Sequence, residues 1–142
     1  VCPGSSNFSQ EEMKIIQRVG LVDRVKHIKF KNDTAQAYIY NNAICFVFPS
    51  LYEGFGLPVL EAFACDCPVV LSNTSSFPEV GGDAVEYFNP RDTKSIEDSV
   101  RRVVENPELR KEMIEKGKQR LKIFSWDNAA KKFLDIYKTL KL

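Results

Sequence analysis

The chain has 142 residues, of which 44% are apolar and 27% charged, and its 20 basic and 19 acidic side chains leave a formal net charge of +1. This length and apolar content suffice for the core of one ordinary globular domain, which excludes a disordered segment. The near-neutral balance gives no overall field that would attract nucleic acid, and no apolar run approaches the length of a membrane-spanning helix.

Helices and strands are predicted to alternate along the first two thirds of the chain. Ser9 and Glu12 have the spacing of a capping box, and Asp33 can cap the next helix. The apolar run at 44–48 has the length and composition of a buried strand. The predicted elements are a strand stub at 1–2, a helix at 9–19, a strand at 25–29, a helix at 33–42, strands at 44–48 and 68–72 with a helix at 58–65 between them, a helical turn at 77–80 and a strand at 84–88.

Three helices are predicted after residue 88. Asn106 and Pro107 end the first and begin the second as N-cap and first residue, and Ser125 caps the third. The residues predicted to face inward are Ile96, Val100, Val103 and Val104 in the first helix, Leu109, Met113, Ile114, Gly117 and Leu121 in the second, and Ala130, Phe133, Leu134, Tyr137 and Leu140 in the third.

Strands that alternate with helices predict a parallel sheet with right-handed crossovers. The predicted fold class is therefore α/β, a Rossmann-like parallel sheet with flanking helices.

The stretch from Glu53 to Glu61 is the most informative part of the sequence for function. Two carboxylates bracket a glycine turn, in which Gly54 and Gly56 allow backbone angles and close approaches that a Cβ would block. Pro58 suits the first helical position. A strand, a glycine turn and a helix N-terminus in this order predict an anion site, and carboxylates there can accept hydrogen bonds from the hydroxyls of a sugar.

This stretch and the residues after it resemble the retaining glycosyltransferases of family 4, which have the GT-B fold. The resemblance runs from about Ser9 to Leu140. Its motifs are Phe48-Pro49-Ser50-Leu51-Tyr52-Glu53-Gly54-Phe55-Gly56-Leu57-Pro58-Val59-Leu60-Glu61, then Pro68-Val69-Val70, Ser76-Phe77-Pro78-Glu79-Val80 and Phe124-Ser125-Trp126. The resemblance implies that residues 1–142 form the C-terminal, nucleotide-sugar-binding domain of a GT-B enzyme, without the first strand of that domain.

The resemblance also implies roles for the two glutamates. Glu61 would hold the ribose hydroxyls of the donor nucleotide, and Glu53 would contact the donor hexose close to the reacting carbon. The residue pattern alone fits two other readings. Glu61 could be an exposed glutamate favoured by the helix dipole, and Glu53 a surface carboxylate in a turn.

By the same resemblance, the backbone N–H groups of Gly54, Phe55, Gly56 and Leu57 would bind the donor sugar and diphosphate. Phe30 and Lys31, which follow the strand at 25–29, would lie against the nucleotide base. The family usually has glycine where this chain has Lys29, so a solvated basic stretch is an equal alternative there.

The sequence predicts no metal and no cofactor. It contains no Asp-x-Asp motif, and Cys65-Asp66-Cys67 lacks the Cys-x-x-Cys spacing typical of zinc sites. Val59 stands where a dinucleotide fingerprint needs its third glycine, which argues against NAD. His27 is predicted to be a strand residue without a chemical role.

The expected whole enzyme moves a hexosyl unit from a nucleoside diphosphate sugar of UDP or GDP type to a hydroxyl acceptor with retention, as in a mannosyltransferase of polysaccharide biosynthesis. By resemblance, an absent N-terminal domain holds the acceptor, so this chain alone is expected to be inactive. The expected location is the cytoplasm, with the inner membrane surface reached only through the absent domain. The alternative is a non-catalytic nucleotide-binding or assembly module.

Overall fold

The computed structural model describes residues 1–4 and 6–140. The chain divides into two compact units, residues 1–36 and residues 37–142, and the boundary falls within a helix. In chain order the elements are β1 (Cys2–Pro3), α1 (Gln10–Arg18), β2 (His27–Ile28), α2 (Asp33–Asn42), β3 (Phe46–Phe48), α3 (Leu57–Ala64), β4 (Val69–Ser72), α4 (Phe77–Gly81), β5 (Glu86–Phe88), α5 (Thr93–Glu105), α6 (Pro107–Ile123) and α7 (Trp126–Thr139). The predicted order of elements is confirmed, although β2 to β5 are shorter than predicted and β1 lies one residue later.

In the first unit, β1 pairs in parallel with β2. The capping box of α1 is confirmed, since Ser9 N donates to Glu12 Oε2 at 2.7 Å and Glu12 N donates to Ser9 Oγ at 3.2 Å. The prediction that Asp33 caps α2 is wrong. The capping oxygen is Asn32 Oδ1, which accepts from Ala35 N at 2.9 Å, and Asp33 is the first helical residue.

In the second unit, β3, β4 and β5 form a parallel sheet with β4 in the centre. All four residues of β4 are buried, because helices cover both faces of this strand. Val69 and Leu71 belong to the apolar cluster that contains the inner residues of α3 and α4. Val70 belongs to a second cluster with residues of α5 and α6. The predicted parallel α/β arrangement is confirmed.

The inward faces of α5 and α6 are largely as predicted. Val103 and Met113 are buried in the second cluster, against which Ile96, Val100 and Leu109 also pack. Val104 is a correction: its side chain is 41% exposed, since it lies one helical step away from the face that Val103 presents. The cap at Asn106 is confirmed, because its Oδ1 accepts from Leu109 N at 3.0 Å.

The predicted inner face of α7 is wrong. Ser125 caps this helix as predicted, accepting from Asn128 N at 3.1 Å. However, Ala130, Phe133, Leu134, Tyr137 and Leu140 are all exposed. An amphipathic pattern shows that a helix has an apolar face. It does not show that another element of these 142 residues packs on that face.

Candidate functional site

The glycine turn, defined here as residues 53–57, leads from the carboxyl end of β3 into α3. Gly56 is the N-cap of α3 and has φ +104° and ψ +45°. A Cβ at Gly56 would lie 3.1 Å from Cε1 of Phe77, which is fully buried. The turn therefore needs glycine at position 56, as the sequence predicts.

The other two predictions for the turn need correction in detail. Gly54 does not have a positive φ, and a Cβ there would have no heavy atom within 4 Å, so the protein itself does not require glycine at this position. Helix α3 begins at Leu57, which makes Pro58 the second helical residue and not the first. Open space beside Gly54 is what a bound molecule would need.

Two serines from the loop between β4 and α4 hold the glycine turn. Ser75 Oγ donates to Glu53 O at 2.6 Å, and Ser76 Oγ lies 3.0 Å from the same oxygen and 2.9 Å from Phe55 O. Glu53 N in turn donates to Ser75 Oγ at 3.4 Å. These contacts fix the backbone of the turn from a segment more than 20 residues further along the chain.

Ser75 is held in an unfavourable backbone conformation. Its φ is +56°, in the left-handed region that side chains other than glycine rarely adopt. Such a conformation costs about 1–3 kcal/mol and persists only where other contacts impose it. Ser75 Oγ donates to Glu53 O and accepts from Glu53 N, and these two hydrogen bonds are the contacts that offset this cost.

Three backbone donors of this turn have no acceptor in the part of the chain that the structure describes. Within the described residues, the N–H groups of Gly54, Phe55 and Gly56 donate to no protein acceptor, whereas Val59 N donates to Gly56 O at 2.9 Å. Unpaired N–H groups at the start of a helix favour an anion, because the partial positive charge of the helix end adds to their own.

The two glutamates are held in different ways. Glu53 is half-buried, and its Oε1 accepts from Ser50 Oγ at 3.2 Å. Glu61 is the fifth residue of α3 and is exposed, while Ala62 and Phe63, which follow it, are buried. Both carboxylates can accept hydrogen bonds from hydroxyl groups of a sugar.

Phe30 and Lys31 belong to the first unit, where they directly follow β2. Phe30 is half-buried and Lys31 is exposed. Their predicted contact with a nucleotide base stays a prediction. His27 lies in β2 as predicted, and its Nε2 is buried without a partner among the described residues.

The sequence reasoning missed Ser75 and the contribution of α6. At the end of α6, the guanidinium of Arg120 donates to Glu79 O and, at 3.2 Å, to Val80 O. Its Cζ also lies 5.1 Å from the ring centroid of Phe124. No local motif marks Ser75 or Arg120, because each donates to a backbone carbonyl that is distant in sequence.

Tyr87 adds a further contact to the same region. Its hydroxyl donates to Gly82 O at 3.0 Å and lies 3.4 Å from Phe77 O, so it links β5 to both ends of α4. Burial raises the pKa of Tyr87 above its ordinary value, and the charge of Arg120 opposes that shift. The neutral phenol is the form that can donate the bond to Gly82 O.

Residues 1–4 and 6–140 contain no group of three or more His, Cys, Asp or Glu side chains placed to hold a metal ion. In the same residues, no helix has both the length and the apolar character needed to cross a membrane.

Comparison with known proteins gives consistent relatives. Residues 2–120 match the family model described as "Glycosyl transferases group 1". The chain is 38% identical over 116 residues to O-antigen chain mannosyltransferase B of Escherichia coli. The aligned region covers 82% of this chain and 30% of that protein. It is 30% identical over 128 residues to the MMP alpha-(1->4)-mannosyltransferase of Mycolicibacterium hassiacum, covering 87% of this chain and 31% of that protein.

Solved structures match the fold. Sucrose-phosphate synthase from Thermosynechococcus elongatus superposes with a TM-score of 0.80 at 26% identity, over 97% of this chain and 37% of that one. WaaG, a glycosyltransferase involved in lipopolysaccharide biosynthesis, superposes with a TM-score of 0.72 at 17% identity and shows the fold alone. The chain thus spans about a third of the length of these relatives. The predicted α/β fold, matching the C-terminal half of GT-B glycosyltransferases, is confirmed, and the absence of a first strand stays a prediction.

Proposed function

The chain belongs to the Glycosyl transferases group 1 family, and from that membership we propose that it binds the donor of a family 4 enzyme, a nucleoside diphosphate sugar. The observation that carries this proposal is the glycine turn. Its carbonyl groups are held by Ser75 and Ser76, its N–H groups have no acceptor in the described chain, and it opens a helix. A diphosphate would accept hydrogen bonds from these N–H groups without any rearrangement of the turn.

The carboxylates of Glu61 and Glu53 would bind the two sugars of the donor. Glu61, on a helix whose inner face is buried, would accept hydrogen bonds from the two ribose hydroxyls. Glu53, in the turn itself, would lie beside the hexose and stabilise positive charge at the reacting carbon as the bond to the diphosphate breaks. Phe30 and Lys31 would lie against the base.

The whole enzyme would transfer a hexosyl unit with retention of configuration. The bond from the anomeric carbon to the diphosphate oxygen breaks, and the acceptor hydroxyl oxygen forms a new bond on the same face of the sugar. The products are the glycosylated acceptor, the nucleoside diphosphate and one proton. Since relatives of this chain are named mannosyltransferases, a mannosyl donor is the first to test.

The chain alone is expected to bind without catalysing transfer. It spans about a third of the length of its relatives, and transfer requires both substrates in one geometry, which supplies ~7–11 kcal/mol of the barrier. Incubation of the purified chain with GDP-mannose or UDP-glucose and a pool of glycan acceptors should give no product. Turnover in that assay would contradict this part of the proposal.

Binding is best tested by NMR titration of the chain with UDP, GDP and ADP. We expect shift changes at residues 54–57, no requirement for a divalent metal, and an affinity no better than about 0.1 mM. Glu61→Gln should lose most of the binding, because a neutral amide replaces a charged acceptor worth roughly 1.5–3 kcal/mol. The 2′,3′-dideoxy nucleotide should bind the parent chain poorly.

Two variants serve as controls. Glu53→Gln should leave binding of plain UDP or GDP nearly unchanged, because its proposed partner is the hexose. Glu108→Gln removes another glutamate from the first turns of a helix, on α6, and should leave nucleotide binding unchanged. Equal loss of binding in Glu61→Gln and Glu108→Gln, or no shift at residues 54–57 with any nucleotide, would sink the proposal.

A further inference from the structure

We propose that Arg120 is a positioning residue for the glycine turn, which it supports through two separate routes. This inference rests on the donor-binding function proposed above, and it assigns to the end of α6 a part in holding the diphosphate and hexose. The contacts of the Arg120 guanidinium are with α4 and with the ring of Phe124. Arg120 acts through α4 and through an aromatic pair.

The first route runs through α4. The Arg120 guanidinium donates to the carbonyl oxygens of Glu79 and Val80, in the last turn of that helix. Helix α4 begins directly after Ser75 and Ser76, whose hydroxyls bond to the carbonyl groups of the glycine turn. A shift of α4 would therefore move the two serines and, with them, the backbone at 53–55.

The second route runs through aromatic rings. The Cζ atom of Arg120 lies 5.1 Å from the centroid of the Phe124 ring, in the range of a cation–π contact. Phe124 meets Phe55 edge to face, with ring centroids 5.8 Å apart and an angle of 76° between the rings. Phe55 is a residue of the glycine turn. The Arg120 guanidinium therefore contacts both supports of this turn, which are helix α4 and the ring of Phe124.

Arginine suits this position better than lysine. The planar guanidinium donates to two carbonyl groups from different nitrogens and still presents a flat face to a ring, whereas a lysine ammonium is a single point of charge. Among the described residues, Arg120 forms no ion pair with a carboxylate. Its donors are directed to the carboxyl end of α4, where the helix dipole favours a cation.

The chain offers a matched control on the same helix. Arg110 of α6 also donates from its guanidinium to two successive carbonyl groups at the end of a helix, Val103 O at 2.7 Å and Val104 O at 2.6 Å. That helix is α5, which, unlike α4, does not directly follow Ser75 and Ser76, the two serines that bond to the glycine turn. Arg110→Ala therefore removes the same kind of contact without the proposed link.

The experiment compares Arg120→Ala, Arg120→Lys and Arg110→Ala in this chain. The first readout needs no ligand. Amide resonances of residues 54–57 should shift in both Arg120 variants and stay in place in Arg110→Ala, while thermal unfolding records the loss of stability in each. A general structural role would lower the melting temperature in Arg120→Ala without moving these four amides.

The second readout is affinity for GDP-mannose and UDP-glucose, with GMP and UMP as the comparison. Arg120→Ala should weaken the sugar nucleotides about tenfold, the factor that corresponds to ~1.4 kcal/mol. It should leave the monophosphates nearly unchanged, because their ribose is proposed to lie against α3. Phe124→Leu, which breaks only the aromatic route, should give a smaller loss in the same direction.

The outcomes separate the two proposals. If the parent chain binds no nucleotide, the donor-binding function fails, and the amide comparison still decides whether Arg120 positions the turn. If the parent binds and Arg120→Ala moves neither the amides at 54–57 nor the affinity more than Arg110→Ala does, the positioning role is wrong. Full recovery in Arg120→Lys would overturn the part of the proposal that requires a planar guanidinium, since an ammonium would then suffice.

Discussion

The two glycines of the turn are expected to respond to alanine in opposite ways. In Gly56→Ala the alanine must adopt φ +104°, and its Cβ would lie 3.1 Å and 3.3 Å from two atoms of the Phe77 ring. In Gly54→Ala the Cβ meets no heavy atom within 4 Å, and the backbone is not left-handed. The pair therefore separates a requirement of the fold from a requirement of the bound donor.

The expected loss for Gly56→Ala has two parts. The left-handed backbone costs an alanine roughly 1–2 kcal/mol. Contact with Phe77, which is fully buried, adds about 1–3 kcal/mol of overpacking. The sum of about 2–5 kcal/mol is a large fraction of the ~5–15 kcal/mol that stabilises a typical domain.

Urea unfolding followed by far-UV circular dichroism measures this loss. Tryptophan fluorescence is a poor reporter, because Trp126, the one tryptophan, is 88% exposed. Gly54→Ala should have a free energy of unfolding within about 0.5 kcal/mol of that of the parent. It should still lose affinity for a sugar nucleotide, since its methyl group occupies space assigned to the ligand. If Gly56→Ala is as stable as the parent, or if Gly54→Ala loses as much stability as Gly56→Ala, the reasoning about the turn is wrong.

Three further predictions concern the core. Gly117→Ala should lower the free energy of unfolding in urea by about 1–3 kcal/mol despite better helix propensity, because its Cβ would lie 2.8 Å from Phe63 Cδ1; an unchanged midpoint would contradict this. Burial raises the pKa of Cys67 to about 12, so iodoacetamide at pH 8 should label exposed Cys2 in the native chain and label Cys67 only after unfolding, as peptide mass spectrometry can check. Burial also raises the pKa of Tyr87 above 10.0. The contribution of its neutral phenol to stability is therefore complete below that pH and is lost as the pH rises through the pKa of the folded state. The urea midpoint should accordingly fall less steeply between about pH 8 and 11 in Tyr87→Phe than in the parent chain.

Features that depend on neighbouring residues were predictable from the sequence. The caps at Ser9, Asn106 and Ser125 each use a side-chain oxygen that reaches an N–H three residues later, so a short motif reveals them. Asn32 and Asp33 show the limit of this reasoning. Both can cap a helix, and only the backbone geometry places the oxygen of Asn32 at Ala35 N.

Features that depend on distant residues were not predictable in this way. Ser75 holds Glu53 across 22 positions, and Arg120 reaches Glu79 across 41. The acceptor in each case is a backbone carbonyl, which every residue has, so no residue type marks the contact in the sequence. The prediction for α7 fails for a related reason. An apolar pattern identifies a helix face that favours burial, but it does not identify the partner that would bury it.

The hydrogen bonds of the glycine turn have one further consequence. Ser75 and Ser76 bond to the backbone carbonyl oxygens of Glu53 and Phe55, whereas the Glu53 carboxylate accepts a hydrogen bond from the hydroxyl of Ser50. These bonds therefore do not depend on which side chain stands at position 53, whereas the side chain of Phe55 adds a contact of its own with Phe124. For protein engineering, position 53 is a display site on a frame that backbone bonds hold, where a library of substitutions could retune sugar selectivity while the frame is retained.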